Sequence, residues 1–382
     1  MTASETPGPA VIGIDGSRLS VTDRTGTENY TAQIIRHLAM VSAPDTLRVY
    51  LRGDDDLASF PAMSSVDPVP IPSGRLWTHF RLSREMRRNA PNVLFVPAHV
   101  VPLVHPPTVV TIHDLGYLHH PDSHPRAQRR MLDLTTRWST FAAKHIIAIS
   151  QTTKRDLVGA YGVSPSKITV VHHGVDPSFR SQLPGDVAAF KQRFRLPEKY
   201  ILTVGTVQPR KNLANLAAAM TTVVSAGLPH MLVIAGKLGW LAPTVEAEIA
   251  ARAPANRIIR LGYVSPLDLP LLYAGADAFA LPSLYEGFGL PALEALATGL
   301  PSLVADRAAL PEVVGDAAIR VNPADVDAIG AGLVRLIKDE QLRQQLLAAG
   351  PAQAARFTWN AAAASTLGIL NRVVEGGRSP LP

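Results

Sequence analysis

The chain has 382 residues, of which 47% are hydrophobic and 18% charged, a composition that excludes an intrinsically disordered protein. It contains no cysteine, which excludes disulfides, thiolate catalysis and cysteine-ligated zinc. The length suits two domains of about 180 residues each, and the net charge of +6 favours anionic partners.

Residues 1–10 are polar and lack an apolar core segment, so we expect no signal peptide. The longest apolar stretch, residues 92–111, is interrupted by prolines and histidines and does not indicate a membrane span. These two features predict a cytoplasmic protein.

Short apolar runs alternate with helical stretches through the first half, which predicts an α/β domain with a parallel sheet. Predicted helices cover residues 30–41 and 125–144, and Ser150 is expected to cap a third helix. The predicted strands are 11–14, 47–51, 93–96, 108–112, 146–149 and 167–171.

Arginines gather in two predicted helical segments of this half. Solvated helix faces account for most of them, and the sharper interpretation is a basic surface that meets anionic lipid or a phosphorylated acceptor. Nucleic acid is not expected, because no recognition motif accompanies the charge. The arginines are Arg81, Arg84, Arg87 and Arg88, and then Arg126, Arg129, Arg130 and Arg137.

Polar residues follow the predicted strand 108–112. His113 stands at the carboxyl end of that strand, which is where doubly wound sheets place functional groups. Asp114 is expected to cap or orient the loop. His119, His120 and His124 lack metal-ligand periodicity and are interpreted as solvated or acceptor-loop histidines.

Residues 175–199 contain three prolines and a glycine and predict a linker. Beyond it, a second doubly wound series begins, and an alanine-rich helix is predicted over residues 358–374. Two such domains are expected to face each other across a ligand-binding cleft. The predicted strands of the second series are 201–204, 231–235, 258–261, 278–281 and 302–304.

Arg210 and Lys211 follow the first of these strands and precede a helix that Asn212 is expected to cap. Two fixed cations there can neutralise diphosphate oxygens without a metal ion. A salt bridge or a solvated loop pair is the alternative. The run Asp54-Asp55-Asp56 is a loop and not a convincing metal clamp.

Residues 281–299 are the most informative stretch. Glu286 lies in a glycine-containing turn after a strand, and Glu294 lies about one turn into the following helix. The free N–H groups at that helix start form an anion site, so hydroxyls and phosphates of a nucleotide sugar would suit the pair. A plain turn with a solvated and a helix-dipole glutamate is the alternative; a glycosidase pair is disfavoured.

Four stretches, in order along the chain, resemble the retaining glycosyltransferase family 4. Glu286 and Glu294, with seven residues between them, are similar to its E-x7-E motif. Residues 204–212 resemble its donor-phosphate loop, and residues 111–115 its active-site segment. Residues 23–30 take the place of its glycine-rich loop but have Arg24-Thr25 before Gly26 instead of a double glycine.

This resemblance implies the GT-B fold, with two Rossmann-like doubly wound α/β domains facing across a cleft. An acceptor-side domain is expected over residues 1–185, completed by a helix within 359–382, and a donor-binding domain over 186–358.

The resemblance also implies roles for individual residues. Glu286 and His113 would be catalytic, both directed toward the transferred sugar. Arg210 and Lys211 would hold the diphosphate, and Glu294 the ribose. The other expected donor-binding residues are Gly26, Tyr263, Val264, Phe288, Gly289 and Leu290.

The sequence therefore predicts a retaining hexosyltransferase that moves mannose from GDP-mannose to a glycan or lipid-linked acceptor in polysaccharide or glycolipid synthesis. No metal or other cofactor is expected. UDP-glucose or another UDP-sugar is the alternative donor, and a nucleotide-sugar epimerase or hydrolase the alternative activity. Peripheral contact with the inner face of the membrane is expected through the basic first domain.

Overall fold

The computed structural model describes residues 9–19, 26–53 and 66–378, which form two compact units. The first unit draws its described residues from Met1–His113, Met131–Gly174 and Trp359–Pro382. The second unit consists of Asp114–Arg130 and Val175–Thr358. The segment Asp114–Arg130 thus belongs with the second unit, although it lies within the first half of the sequence.

The first unit is built on a parallel sheet of seven strands in the order β3-β2-β1-β4-β5-β6-β7. β4 and β5 are buried along their whole length, as expected of strands covered on both faces. The strands are β1 (Val11–Asp15), β2 (Thr46–Arg52), β3 (Val66–Ile71), β4 (Val93–Val96), β5 (Thr108–Ile112), β6 (His145–Ala148) and β7 (Ile168–Val170).

Helices cover this sheet. The last helix, α14 (Trp359–Arg378), follows the whole second unit in sequence, yet its Trp359 and Leu370 are buried in the first unit's core with Ile34 of α1 (Gly26–Val41). Ser150 caps α5 as predicted, because its Oγ accepts from the Thr153 N–H at 3.0 Å. The helices of this unit are α1 (Gly26–Val41), α2 (Ser83–Arg88, after a π-helical turn Thr78–Leu82), most of α4 (Arg126–Ala142), α5 (Gln151–Tyr161) and α14 (Trp359–Arg378), while α3 (Gly116–His119) and the start of α4 belong with the second unit.

The second unit repeats the arrangement with a six-stranded parallel sheet in the order β10-β9-β8-β11-β12-β13. The strands are β8 (Tyr200–Val204), β9 (Met231–Ala235), β10 (Ile258–Gly262), β11 (Ala278–Leu281), β12 (Ser302–Ala305) and β13 (Ile319–Val321). The helices are α6 (Pro184–Arg193), α7 (Leu213–Ser225), α8 (Ala242–Arg252), α9 (Leu269–Ala274), α10 (Leu290–Ala297), α11 (Leu310–Val314), α12 (Val326–Lys338) and α13 (Glu340–Ala354).

Two doubly wound parallel sheets confirm the predicted fold class, and each predicted strand is present. The prediction missed β3 and β13. β3 carries Pro68 and Pro70, which an edge strand tolerates but which weaken the sequence signal, and β13 has only three residues. The predicted linker 175–199 was wrong in part, because residues 184–193 form α6. Among the described residues, no helix is long and apolar enough to cross a membrane.

Candidate active site

The strand order of the second unit reverses between β8 and β11, which pair with each other. Open α/β sheets bind ligands beyond the carboxyl ends of the strands at such a reversal. The loop after β8 carries Arg210 and Lys211, in a one-turn 3₁₀ helix Pro209–Lys211. The loop after β11 carries Glu286. The backbone joins the two loops directly, since the Leu284 N–H donates to the Arg210 carbonyl at 2.8 Å.

Glu286 lies between two cations. Its Oε1 accepts from Lys211 Nζ at 2.5 Å, and its Oε2 accepts from an Arg210 guanidinium nitrogen at 3.1 Å. Ser283 Oγ donates to Oε1 at 2.7 Å. The same Arg210 nitrogen also donates to the Tyr285 carbonyl at 2.8 Å. The structure thus brings together three of the predicted site residues, and it adds Ser283, which the sequence did not single out.

Electrostatics fix the charge of this cluster. Burial pushes the pKa of the Glu286 carboxyl up, but the Lys211 ammonium, the Arg210 guanidinium and the hydrogen bonds from Lys211 and Ser283 outweigh burial and hold that pKa at about 2. Burial lowers the pKa of Lys211 despite the attraction of Glu286. The carboxylate is therefore ionised at neutral pH, and two positive charges stand beside one negative charge.

The helix α10 begins directly after this cluster. Gly289 precedes it with φ of 99°, a conformation that favours glycine, and Pro291 fits its first turn. The first N–H groups of a helix have no acceptor within the helix, so they can bind an anion. The ring of Phe288 is buried against Phe357, with centroids 5.8 Å apart, so only its backbone is suited to a ligand contact.

Glu294 lies one turn into α10, as predicted, but its side-chain hydrogen-bond partner differs from those of Glu286. Its carboxyl accepts from the Tyr273 hydroxyl of α9 at 2.8 Å. Burial raises the pKa of Glu294 to about 8, although the Tyr273 hydrogen bond opposes the rise. Tyr273 stands far from Glu294 in sequence, so only the packing of α9 against its neighbours reveals this partner.

Asn212 occupies the N-cap position of α7, but the predicted capping was wrong. Its backbone is left-handed, with φ of 58°, and its side chain makes no capping bond. The amide nitrogen donates instead to the carbonyls of Pro282 and Pro323, at 3.0 and 2.7 Å. Asn212 therefore ties the loop after β8 to the loop after β11, beside the Glu286 cluster.

The segment Asp114–Arg130 adds aromatic contacts to the second unit. Asp114 orients its own loop as predicted, because Oδ1 accepts from the Gly116 N–H at 3.0 Å. The neighbouring histidines, interpreted as solvated or acceptor-loop residues, differ in exposure, since His119 is exposed and His124 is half-buried. The exposed His119 stacks on the Tyr285 ring at 4.9 Å, and His124 packs against Trp240 at 5.0 Å.

His113 and Gly26 lie in the first unit. His113 follows β5 and is buried, with Nε2 2.7 Å from the Pro97 carbonyl, which fixes Nε2 as the protonated nitrogen. Its ring meets Tyr30 edge to face, with centroids 4.9 Å apart. Gly26 begins α1, and a Cβ there would meet no atom within 4 Å. The preceding residues of the predicted loop, Asp23, Arg24 and Thr25, lie outside the described residues.

Tyr263 and Val264 follow β10 directly, on the loop that leads to α9. Val264 is buried, whereas the Tyr263 side chain is 37% exposed. The part of the chain that the structure describes contains no group of three or more His, Cys, Asp or Glu side chains arranged to hold a metal ion. The predicted loop run Asp54-Asp55-Asp56 falls outside that part.

Comparisons with known families match both halves of the chain. A family model described as "Glycosyltransferase Family 4" matches residues 24–179, and one described as "Glycosyl transferases group 1" matches residues 186–353. The two matches together span most of both units.

Two similar proteins are O-antigen chain mannosyltransferases. O-antigen chain mannosyltransferase B of Escherichia coli is 28% identical over 90% of this chain and 95% of its own length. One from Salmonella typhimurium is 29% identical over 59% of this chain and 60% of its own length. A D-inositol 3-phosphate glycosyltransferase of Salinispora arenicola is 30% identical over 61% of this chain and 55% of its own length.

Solved structures show the same fold. Sucrose-phosphate synthase from Thermosynechococcus elongatus superposes with a TM-score of 0.75 at 19% identity, covering 96% of this chain and 100% of that chain. WaaG, a glycosyltransferase involved in lipopolysaccharide biosynthesis, superposes with a TM-score of 0.73 at 16% identity, covering 94% and 99%.

The fold is therefore GT-B, and the protein is an enzyme of the glycosyltransferase class. The chain belongs to glycosyltransferase family 4, the glycosyl transferases group 1, and transfers a hexose from a nucleotide sugar with retention of configuration.

Proposed function

We propose that this enzyme transfers mannose from GDP-mannose to a glycan or lipid-linked acceptor during polysaccharide or glycolipid assembly. The observation that supports the reaction is the carboxylate of Glu286 held between Arg210 and Lys211 at the strand reversal of the second sheet. The choice of mannose is supported by the O-antigen chain mannosyltransferase B of Escherichia coli, which matches nearly the whole chain.

In this proposal the two cations bind the donor diphosphate. Negative charge grows on the diphosphate as the bond to the sugar breaks, and preorganised cations stabilise that charge more in the transition state than in the ground state. Arg210 and Lys211 are already oriented by Glu286 and by the Tyr285 carbonyl. The amides of Phe288, Gly289 and Leu290 add donors at the start of α10.

Glu286 faces the transferred sugar in this assignment, and its two oxygens differ. Among the described residues, Oε1 already accepts from two donors, Lys211 and Ser283, whereas Oε2 accepts from one, Arg210. Oε2 is therefore the oxygen we assign to a sugar hydroxyl. An ionised carboxylate there also stabilises the positive charge that develops on the sugar ring.

Other roles complete the proposed donor site. Glu294 accepts from the ribose hydroxyls, and the backbone of Tyr263 and Val264 holds the base. His113 contacts the transferred sugar, and Gly26 lets the backbone approach the donor or acceptor. The departing phosphate itself receives the acceptor's proton, so no separate protein base is required, and Arg210 and Lys211 neutralise the diphosphate in place of a metal ion.

A donor panel tests the proposal. We expect GDP-mannose, with a lipid-linked glycan acceptor, to give a product that retains the anomeric configuration by NMR. UDP-glucose and other UDP-sugars serve as competing donors in the same assay, and GDP should raise the melting temperature more than UDP does. Turnover with UDP-glucose alone would show that UDP-glucose, and not GDP-mannose, is the donor. Sugar release or epimerisation without acceptor would show that the enzyme is a hydrolase or an epimerase. Absence of any turnover would indicate a binding protein.

Substitution of the cations tests the site. We expect Arg210→Ala and Lys211→Ala each to lower turnover by about 10²–10³, the usual cost of losing a preorganised contact to a developing anion. Arg260→Ala is the matched control, because Arg260 pairs with Glu246 at the surface of the same unit. Thermal unfolding is measured alongside to separate lost turnover from lost stability. Lys211 is buried, and its loss leaves the buried Glu286 carboxylate with one cation fewer. Near wild-type turnover in both variants would contradict the assignment.

A further inference from the structure

The helix α4 has an inverted distribution of polarity. Its buried residues are Thr136, Ser139 and Thr140, whereas Met131, Leu134 and Phe141 are 60%, 65% and 81% exposed. The exposed apolar side chains recur at helical spacing, so they share one face. A helix that covers a core normally has the opposite arrangement.

Hydrogen bonds explain why the polar side of α4 faces inward. Ser139 Oγ accepts from the Val101 N–H at 3.1 Å, and Thr136 Oγ1 lies 2.9 Å from His99 Nε2. Trp138 Nε1 donates to the Val101 carbonyl at 2.9 Å. The loop that follows β4 thus holds the helix through polar contacts, and the apolar stripe is left outside.

The same loop connects α4 to the arginine-rich helix α2. The Val104 N–H donates to Ser83 Oγ, the first residue of α2, at 3.1 Å. Leu103 between these contacts is 55% exposed, and Phe80 in the turn before α2 is 63% exposed. We define the α2–α4 surface by the exposed apolar residues Phe80, Leu103, Leu134 and Phe141 and the exposed cations Arg84, Arg88 and Lys144.

Positive charge dominates the α2–α4 surface. Asp133 is bonded to Arg137 and to the Tyr161 hydroxyl, and Glu85 accepts from Asn89, so the nearby acids already have partners. Lys167 donates to the Thr140 and Phe141 carbonyls and adds a cation at the end of α4. A second copy of so cationic a surface would be repelled, whereas an anionic surface with an apolar interior would be attracted.

We propose that the α2–α4 surface docks on a bilayer that contains anionic phospholipid. In this arrangement Leu134 and Phe141 enter the boundary between headgroups and acyl chains. The arginines of α2, with Lys144, contact lipid phosphates. This is the physical pattern of an interfacial helix, in which buried apolar area and attraction to anionic lipid act together.

Vesicle sedimentation tests the proposal without any activity assay, so its failure is distinguishable from failure of the proposed function. Wild-type protein is mixed with vesicles of phosphatidylcholine alone, or of equal parts phosphatidylcholine and phosphatidylglycerol. We expect binding to the second composition only, weakening as salt rises. Leu134→Ser combined with Phe141→Ser should weaken partitioning by about tenfold or more. Arg84→Gln combined with Arg88→Gln should weaken it and reduce its dependence on salt.

The matched control is Leu183→Ser combined with Leu267→Ser, because these leucines are 71% and 90% exposed on the second unit. We expect this control to bind vesicles like wild type. Equal loss in the control would overturn the proposal, as would failure of wild type to bind phosphatidylglycerol vesicles. Sedimentation equilibrium without lipid completes the test: a dimer that the Leu134/Phe141 variant abolishes, with no vesicle binding, would make the surface a self-interface instead.

Discussion

Two glutamates within one turn-and-helix segment are held in opposite ionisation states. Glu286 meets two cations and a hydroxyl, which outweigh its burial, so its pKa falls to about 2. Glu294 is equally buried but meets a neutral hydroxyl instead of a cation, and the charge of Asp176 adds to the effect of burial, so its pKa rises to about 8. At neutral pH the Glu286 carboxyl is therefore charged, whereas the Glu294 carboxyl is mostly protonated.

The proposed roles predict different kinetic losses. Glu286→Gln should mainly lower kcat, because it removes charge where the sugar becomes positive. Glu294→Gln should mainly raise the donor KM, because ribose is bound alike in the ground and transition states. Initial rates over a donor titration separate the two, best at about pH 8.5, where Glu294 ionises. An unchanged donor KM for Glu294→Gln, with only weakened binding for Glu286→Gln, would mean that the roles are reversed.

Glu294 also predicts a pH dependence of stability. The folded protein keeps this proton up to about pH 8, whereas the unfolded chain loses it near the ordinary value of 4.5. The unfolded state therefore binds fewer protons in that window, and the contribution of Glu294 to the free energy of unfolding falls as pH rises from 4.5 to 8. Urea unfolding across this window should give a flatter profile for Glu294→Gln than for wild type. Parallel profiles would contradict the raised pKa.

Both glutamates and both cations were predictable from the sequence, because Arg210, Lys211 and Glu286 each follow an apolar run and because the spacing of Glu286 and Glu294 resembles a family motif. It could not find Ser283 or Tyr273 as their partners. Ser283 is three residues before Glu286 in an ordinary turn, and Tyr273 reaches Glu294 only through packing. The assignment of Asn212 as a cap failed because two proline carbonyls offered its side chain better partners.

The loops after β8 and β11 position the site, and the left-handed backbone of Gly289 sets the start of α10. Buried central strands were predictable from their apolar runs. The edge strand β3 was not, because its prolines break that pattern. The outward apolar face of α4 was equally hidden, since periodicity shows that a helix is amphipathic but not which side faces the core.

Gly289 gives a test of the α10 start. Its φ is 99°, and an added Cβ would lie 2.5 Å from a Leu310 methyl group. We expect Gly289→Ala to cost about 1–3 kcal/mol in backbone strain and to raise the donor KM. Gly159→Ala is the control, because Gly159 is helical with nothing within 4 Å of an added Cβ, so this variant should be as stable as wild type or more stable. Urea unfolding measures both, and equal stability of the two variants would contradict the strain.

Two sheets with the same order of central strands are joined in one chain, and this repetition was predictable from alternating strands and helices. The exact membership of the units was not. Asp114–Arg130 clusters with the second unit because its histidines pack on Tyr285 and Trp240, contacts that no local pattern encodes.

The proposed phosphate site in the second unit provides the cations Arg210 and Lys211, and the described residues form no carboxylate cluster that could hold a metal ion. We therefore expect initial rates with donor and acceptor to be the same in EDTA as in buffer with added magnesium. A metal-requiring glycosyltransferase assayed in parallel controls for effective chelation. Loss of activity in EDTA that magnesium or manganese restores would show that the diphosphate needs a metal ion here.

The return of α14 to the first unit has a consequence for biosynthesis. Ribosomes deliver the chain from its amino end, so every strand of the first sheet emerges before residue 359 does. Until then, the hydrophobic side of that sheet lacks Trp359, Ile369 and Leu370. Most of the second unit, residues Val175–Thr358, is synthesised between the last strand of the first sheet and α14. The first half to be translated is thus the last to complete its core, and it must stay soluble through the synthesis of the other half.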